Sequence, residues 1–138
     1  MSLQKGLRGS ACITVGEGDT AVAQGSGTVP VFATPRLVAV MEAAAVAALN
    51  GVLPQGQTSV GTKVDVEHLA ATPVGMEVVA VAELTEVDGR RLVFAVEARD
   101  PAEVVGRGRH ERFLIDEARF LAKVAQKNME SRGVRGER

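Results

Sequence analysis

Residues 37–49 are apolar at every position except Glu42, and the residues on either side are of the kinds that start and stop helices. Thr34 offers a hydroxyl for an N-cap, and Pro35 falls at the first helical position, where its missing N–H costs nothing. Asn50-Gly51 supplies residues that accept a left-handed cap, and Pro54 blocks any continuation. The pattern predicts a helix over 34–50 with no face to offer water, buried almost all round. It is too short to cross a bilayer, which takes about 20 such residues. A lone carboxylate in such a helix is costly unless it is paired, hydrogen-bonded or protonated, so Glu42 needs a purpose.

Elsewhere the period shortens to two. Residues 8–24 read as one or two short strands, the first ending at Gly16-Glu17-Gly18-Asp19 and the second pairing back over 20–24. Residues 25–28 form a Gly/Ser link, and 29–33 lead into the helix. Over 59–68, Val60, Thr62, Val64, Val66 and His68 share a core-facing side, with Gly61, Lys63, Asp65 and Glu67 on the other. Residues 76–87 and 90–99 flank Asp88-Gly89, the signal for a hairpin with a type I′ turn. A last strand over 104–116 contains Gly106 and Gly108, which mark a bulge or a close backbone approach. Helical spacing returns over 117–128 as a short, half-exposed helix, and 129–138 reads as a disordered tail. One long helix among consecutive strands gives a single α+β domain over 8–128, an antiparallel sheet wrapped around a central helix.

Composition narrows the function. A chain of 138 residues is long enough for one real core, and its apolar residues are mostly Ala, Val and Leu, with four Phe and no Trp or Tyr. Such a small-grained core suits close packing of a helix on a sheet. A net charge of −1 gives no electrostatic reason to expect nucleic acid, and the scarcity of aromatics removes stacking platforms. One cysteine excludes an internal disulfide and fits a reducing compartment. No apolar run follows the basic N-terminal residues, so a soluble, cytoplasmic protein without membrane contact is expected.

Few residues remain to carry chemistry. One Cys and two unspaced His make no metal site, and no phosphate-binding or dinucleotide glycine motif is present. His110, among charges, reads as a surface or interface residue. His68 ends a core-facing row, and the core that holds it must also accommodate Glu42, so a Glu/His pair that orients a general base fits. Thr34 serves as a cap, yet its hydroxyl also sits at a positive helix end where developing negative charge is stabilised.

The run Val31-Phe32-Ala33-Thr34-Pro35, the helix with Met41-Glu42, Ser59-Val60-Gly61-Thr62 and His68 followed by Ala70-Ala71-Thr72-Pro73 resemble the fluoroacetyl-CoA thioesterase family of hotdog-fold proteins. The resemblance continues through Asp88-Gly89-Arg90-Arg91-Leu92, His110-Glu111-Arg112 and Phe120, and covers residues 29–127. It implies a hotdog fold, a homodimer formed by sheet pairing with active sites at the subunit boundary, and hydrolysis of a small acyl-CoA thioester. It also implies Thr34, Glu42 and His68 as catalytic residues, with His68 as the base and also in contact with substrate. Gly61 and Arg112 would contact the acyl-CoA, Gly61 through its backbone and Arg112 towards the pantetheine or phosphates. No metal or cofactor beyond the substrate's own CoA is implied. A hydratase or dehydratase acting on acyl-CoA, and a non-catalytic acyl-CoA-binding module, remain as alternatives. One departure stands out: where the fluoroacetyl-specific enzyme carries phenylalanines over its acyl pocket, residues 24–30 here contain none.

Overall fold

In the computed structural model, which describes residues 2–136, the chain begins with β1 (Arg8–Thr14), a 3-10 turn at Glu17–Asp19 and a single helical turn, α1 (Ala21–Gln24). The long helix α2 (Thr34–Ala48) follows, then β2 (Gln57–His68), β3 (Glu77–Asp88), β4 (Arg91–Arg99), β5 (Val104–Asp116) and α3 (Glu117–Gly136). The strands form one sheet in the order β1-β3-β4-β5-β2, with every neighbour antiparallel, so β1 and β2 are its edges. The sheet curls around α2 in the expected hotdog arrangement.

The core lies between α2 and the concave face. Leu37, Met41, Ala44, Ala45 and Ala48 are buried against Val78, Ala80, Ala82, Leu84, Leu92, Phe94 and Ala98. Each of the larger side chains contributes roughly 1.5–3 kcal/mol on burial. The many alanines let helix and sheet approach closely. A Cβ at Gly9 would run into the backbone of Ala44 and Ala48, and one at Gly106 would stand 2.8 Å from Leu37 Cδ2. The close approach expected at Gly106 and Gly108 is therefore present.

Other expectations need correction. Helix α2 is not buried all round: Val46 is 51% exposed, and Ala43, Ala47 and Asn50 are also open. A sheet covers only part of a helix, and the apolar pattern does not say what covers the rest. Residues 21–24 form a helical turn rather than a strand, because the Thr20 hydroxyl caps Ala23 N–H at 3.2 Å and Gly25 closes the turn at φ +70°. The hairpin is present, but its two-residue loop is Gly89-Arg90, inside the pair Asp88↔Arg91. Gly89 has φ +60° and no non-glycine residue among the described residues has positive φ, which excludes type I′ and fits type II′.

Helix α3 continues to Gly136, so the segment read as a disordered tail is helical as far as that residue; 137–138 lie outside the described residues. Strong helix formers such as Gln126, Lys127, Met129 and Glu130 outweigh the polar composition. Nor is α3 half-buried, since Leu121, Val124 and Met129 are all at least half exposed.

The largest correction concerns β2. Its pairing with β5 shifts between Gly61, opposite Arg112, and Lys63, opposite Glu111, leaving Thr62 as the extra residue of a bulge. Val60 therefore pairs with outward-facing Phe113, and Gly61 joins the concave side together with Val64, Val66 and His68. A single inserted residue exchanges the faces, which simple alternation cannot foresee.

Candidate active site

Two groups of side chains occupy the concave side. The first is built where α2 begins. Ala33, not Thr34, is the N-cap residue, with φ −76° and ψ 141°, and Thr34 and Pro35 form the first helical positions. The Thr34 hydroxyl makes no cap and is free to meet His68, its Oγ1 2.8 Å from Nδ1. Phe32, wholly buried, packs edge-on against the imidazole with ring centroids 6.4 Å apart. Burial pushes the His68 pKa below its usual value of 6.5, with the Ala70 backbone acting in the opposite sense. Nε2 is buried and has no hydrogen-bond partner among the described residues. An open cleft of about 350 Å³, bordered by Ala21, Val31, Thr34 and His68, leads to the pair.

This first group rests on a buried support. The Phe32 N–H donates to the Thr72 carbonyl at 2.9 Å, and the Thr72 hydroxyl donates to Asp100 Oδ2 at 2.9 Å. Asp100 Oδ1 accepts from the backbone N–H groups of Ala102 and Glu103. Burial alone would raise the Asp100 pKa, but these donors outweigh it and hold the carboxyl below its usual range.

The second group lies farther along α2. Glu42 meets Gly61, Arg112 and His110: a Cβ at Gly61 would stand 3.0 Å from Glu42 Oε2 and 3.3 Å from both Arg112 Nη1 and His110 Cε1. Only glycine leaves that space open. Arg112 is 7% exposed and firmly held. Its Nε donates to Ser59 Oγ at 2.8 Å, Nη2 to the Ser59 carbonyl at 3.1 Å, and Nη1 to His110 Nε2 at 3.1 Å. Burial lowers its pKa, and the Glu42 carboxylate opposes that change. The guanidinium is thus enclosed beside Gly61.

One chain thus brings Thr34 to His68 but keeps Glu42 apart. Eight helical residues separate Thr34 from Glu42, about 12 Å along the axis. No hydrogen bond or ion pair among the described residues joins Glu42 to either member of the first group. The imidazole that Glu42 approaches is that of His110, so the Glu42/His68 pair expected from the sequence does not form within one chain.

His110 and Ser59 are the residues that sequence reasoning missed. His110 is 1% exposed and stacked on Phe94, not a surface residue. The signal was available: His110 stands two residues before Arg112 on one strand, so an inward Arg112 implies an inward His110. Among the described residues, no group of three or more His, Cys, Asp or Glu could hold a metal ion, and no helix is long and apolar enough to cross a membrane.

Comparison with known proteins gives one consistent answer. Residues 15–118 match the family model of the fluoroacetyl-CoA-specific thioesterase. The chain is 47% identical over 97 residues to the fluoroacetyl-CoA thioesterase of Streptantibioticus cattleyicolor, covering 70% of each protein. It superposes on a solved structure of the fluoroacetyl-CoA thioesterase with a TM-score of 0.84 and 38% identity, over 91% of this chain and 97% of the other. A thioesterase superfamily member from Thermus thermophilus aligns with a TM-score of 0.88 and 26% identity, over 94% and 96% of the two chains.

Proposed function

This chain belongs to the fluoroacetyl-CoA-specific thioesterase family of hotdog-fold proteins, and on that premise we propose that it hydrolyses a small acyl-CoA thioester in a site shared by two copies of the chain. The observation that carries the reaction is the 2.8 Å contact between Thr34 Oγ1 and His68 Nδ1 at the start of α2. A neutral imidazole there accepts the hydroxyl proton as the oxygen attacks the thioester carbonyl, and returns a proton to the departing thiolate. The positive end of α2 favours the negative charge that develops on the carbonyl oxygen. Water then releases the acid, activated by the same imidazole.

Sharing of the site follows from what one chain lacks. Strand β2 is a sheet edge whose outer hydrogen-bonding groups face no other strand among the described residues, and the neighbouring face of α2 leaves Ala43, Val46 and Ala47 open. Antiparallel pairing of two β2 edges satisfies both. A two-fold axis crossing β2 midway between Gly61 and His68 lays Gly61 of one copy beside His68 of the other. Glu42, Gly61 and Arg112 then complete the Thr34–His68 pair of the second copy. Glu42 orients the imidazole, while the Gly61 backbone and the Arg112 guanidinium face the acyl end.

The test is thiol release from a panel of acyl-CoA esters by wild type and His68→Ala. Wild type should liberate free CoA, and the variant should lose about two orders of magnitude or more while remaining folded. Turnover by His68→Ala at the wild-type rate would refute the assignment, and hydration of an enoyl-CoA without thiol release would point to a hydratase instead.

A further inference from the structure

We propose that His110 is a positioning residue of this site, a neutral imidazole that fixes the Arg112 guanidinium and pins the β2 bulge at the same time. The two hydrogen bonds of its ring leave one protonation state. Nδ1 lies 2.8 Å from the Lys63 carbonyl oxygen, which only accepts, so Nδ1 carries the proton. Nε2 lies 3.1 Å from Arg112 Nη1, which only donates, so Nε2 must present its lone pair. A protonated ring would set N–H against N–H. Phe94 stacked on the ring and near-complete burial hold the plane in place.

Each bond has a distinct consequence. Lys63 is the first paired residue after the bulge, so the Nδ1–H bond ties β5 to the point where β2 changes face. The Nε2 bond closes the third side of the guanidinium, whose other two sides are held by Ser59. Arg112 is thereby kept beside Gly61 instead of swinging towards Glu42 to form a direct ion pair, which the structure does not contain among its described residues. His110 touches neither Thr34 nor His68 and acts through Arg112.

The inference rests on the acyl-CoA reading of the site, so its test has one arm that does not depend on turnover. His110→Asn keeps a side-chain donor for Lys63 but loses the acceptor for Arg112, whereas His110→Gln carries an acceptor closer to the Nε2 position. Loss of one hydrogen bond to a charged group predicts about a tenfold or greater fall in kcat/KM for His110→Asn, with partial recovery in His110→Gln. In an Arg112→Gln background, His110→Asn should change kcat/KM by less than about twofold, because residues acting through one another are not additive. An equal loss in both backgrounds, or wild-type kcat/KM in His110→Asn, would overturn the proposal. Independently, 15N NMR of the wild-type imidazole should show a protonated Nδ1 and a bare Nε2, and the Arg112 Nε–H should exchange faster with solvent in His110→Asn. The opposite tautomer, or unchanged Arg112 exchange, would also overturn it. A wild type that releases no thiol but shows the expected NMR behaviour would refute the reaction and leave the positioning role standing.

Discussion

Gly61 and His68 stand seven residues apart on one strand, yet both face the concave side of the sheet. On a regular strand an odd separation puts two residues on opposite faces. The extra residue at Thr62 converts the odd count to an even one, and with it Gly61 reaches Glu42 while His68 reaches Thr34. The bulge is what lets one strand face both groups of the proposed site.

The space at Gly61 gives the first prediction. A methyl group there would stand 3.0 Å from the Glu42 carboxylate and 3.3 Å from the Arg112 guanidinium, tighter than ordinary contact. Gly61→Ala should lower kcat/KM by about tenfold or more through misplacement of these groups. The melting temperature should fall by only a few degrees, since the close contacts are side-chain atoms, the tightest of them on half-buried Glu42, and not backbone. Paired kinetic and thermal measurements check this, and unchanged kcat/KM would mean that the packing around Gly61 does not matter for turnover.

Burial of His68 sets the pH behaviour. Its folded pKa lies below the 6.5 of a free histidine, so the imidazole is neutral at pH 7 and stays a base into more acidic solution. In the shared site the Glu42 carboxylate of the other copy opposes this shift; with burial the larger effect, the acid limb of kcat/KM should inflect below pH 6.5. The stability effect has the matching sign. The unfolded chain takes up the proton first, so this contribution is fully present above pH 6.5 and is lost as the pH falls through the folded value. His110, also lowered chiefly by burial, adds in the same direction. A pH–rate profile and melting curves between pH 4 and 8 measure both, and an inflection above 6.5 would show that the imidazole is stabilised in its charged form.

Much of this architecture is legible in the residues themselves. The Ala-rich helix with its Pro35 start and Gly51 stop, a hairpin between β3 and β4 and the close approaches at Gly106 and Gly108 follow from local rules, and the structure contains them, with the hairpin's turn one residue later than Asp88-Gly89. What was not legible depends on two strands at once. The bulge at Thr62 is visible only in the pairing of β2 with β5, so the face assigned to Val60 was wrong and the setting of His110 went unseen. Thr34 looked like a cap because its rival partner, His68, lies thirty-four residues away. The helical turn at Ala21–Gln24 was missed for a local reason, because Thr20 is a cap at the start of a segment too short to show helical periodicity.

Substrate range follows from the approach to the cleft. Residues 24–30 contain no aromatic side chain, and Phe32, which borders the cleft, is fully buried and packed edge-on against His68. Apolar pockets separate substituents of methylene size by only about 1–3 kcal/mol, so strong selectivity needs a dedicated cover. Acetyl-, propionyl- and butyryl-CoA should be hydrolysed with comparable kcat/KM, and fluoroacetyl-CoA should exceed acetyl-CoA only as far as its more electrophilic carbonyl dictates. Comparison with the base-catalysed hydrolysis rates of the same esters supplies the reference, and a preference far beyond that ratio would require a cover supplied by other residues.

The central claim is that Glu42 of one copy serves His68 of the other, and subunit mixing tests it most directly. Glu42→Gln and His68→Ala proteins, each predicted to be nearly inactive alone, are exchanged into mixed dimers, and thiol release is followed. If the site is shared, each mixed dimer carries one site with both changes and one with neither. Random exchange makes about half the dimers mixed, so activity should return to about a quarter of the wild-type level. If mass spectrometry shows that mixed dimers have formed and activity does not rise, Glu42 and His68 act within one chain and the shared site is wrong.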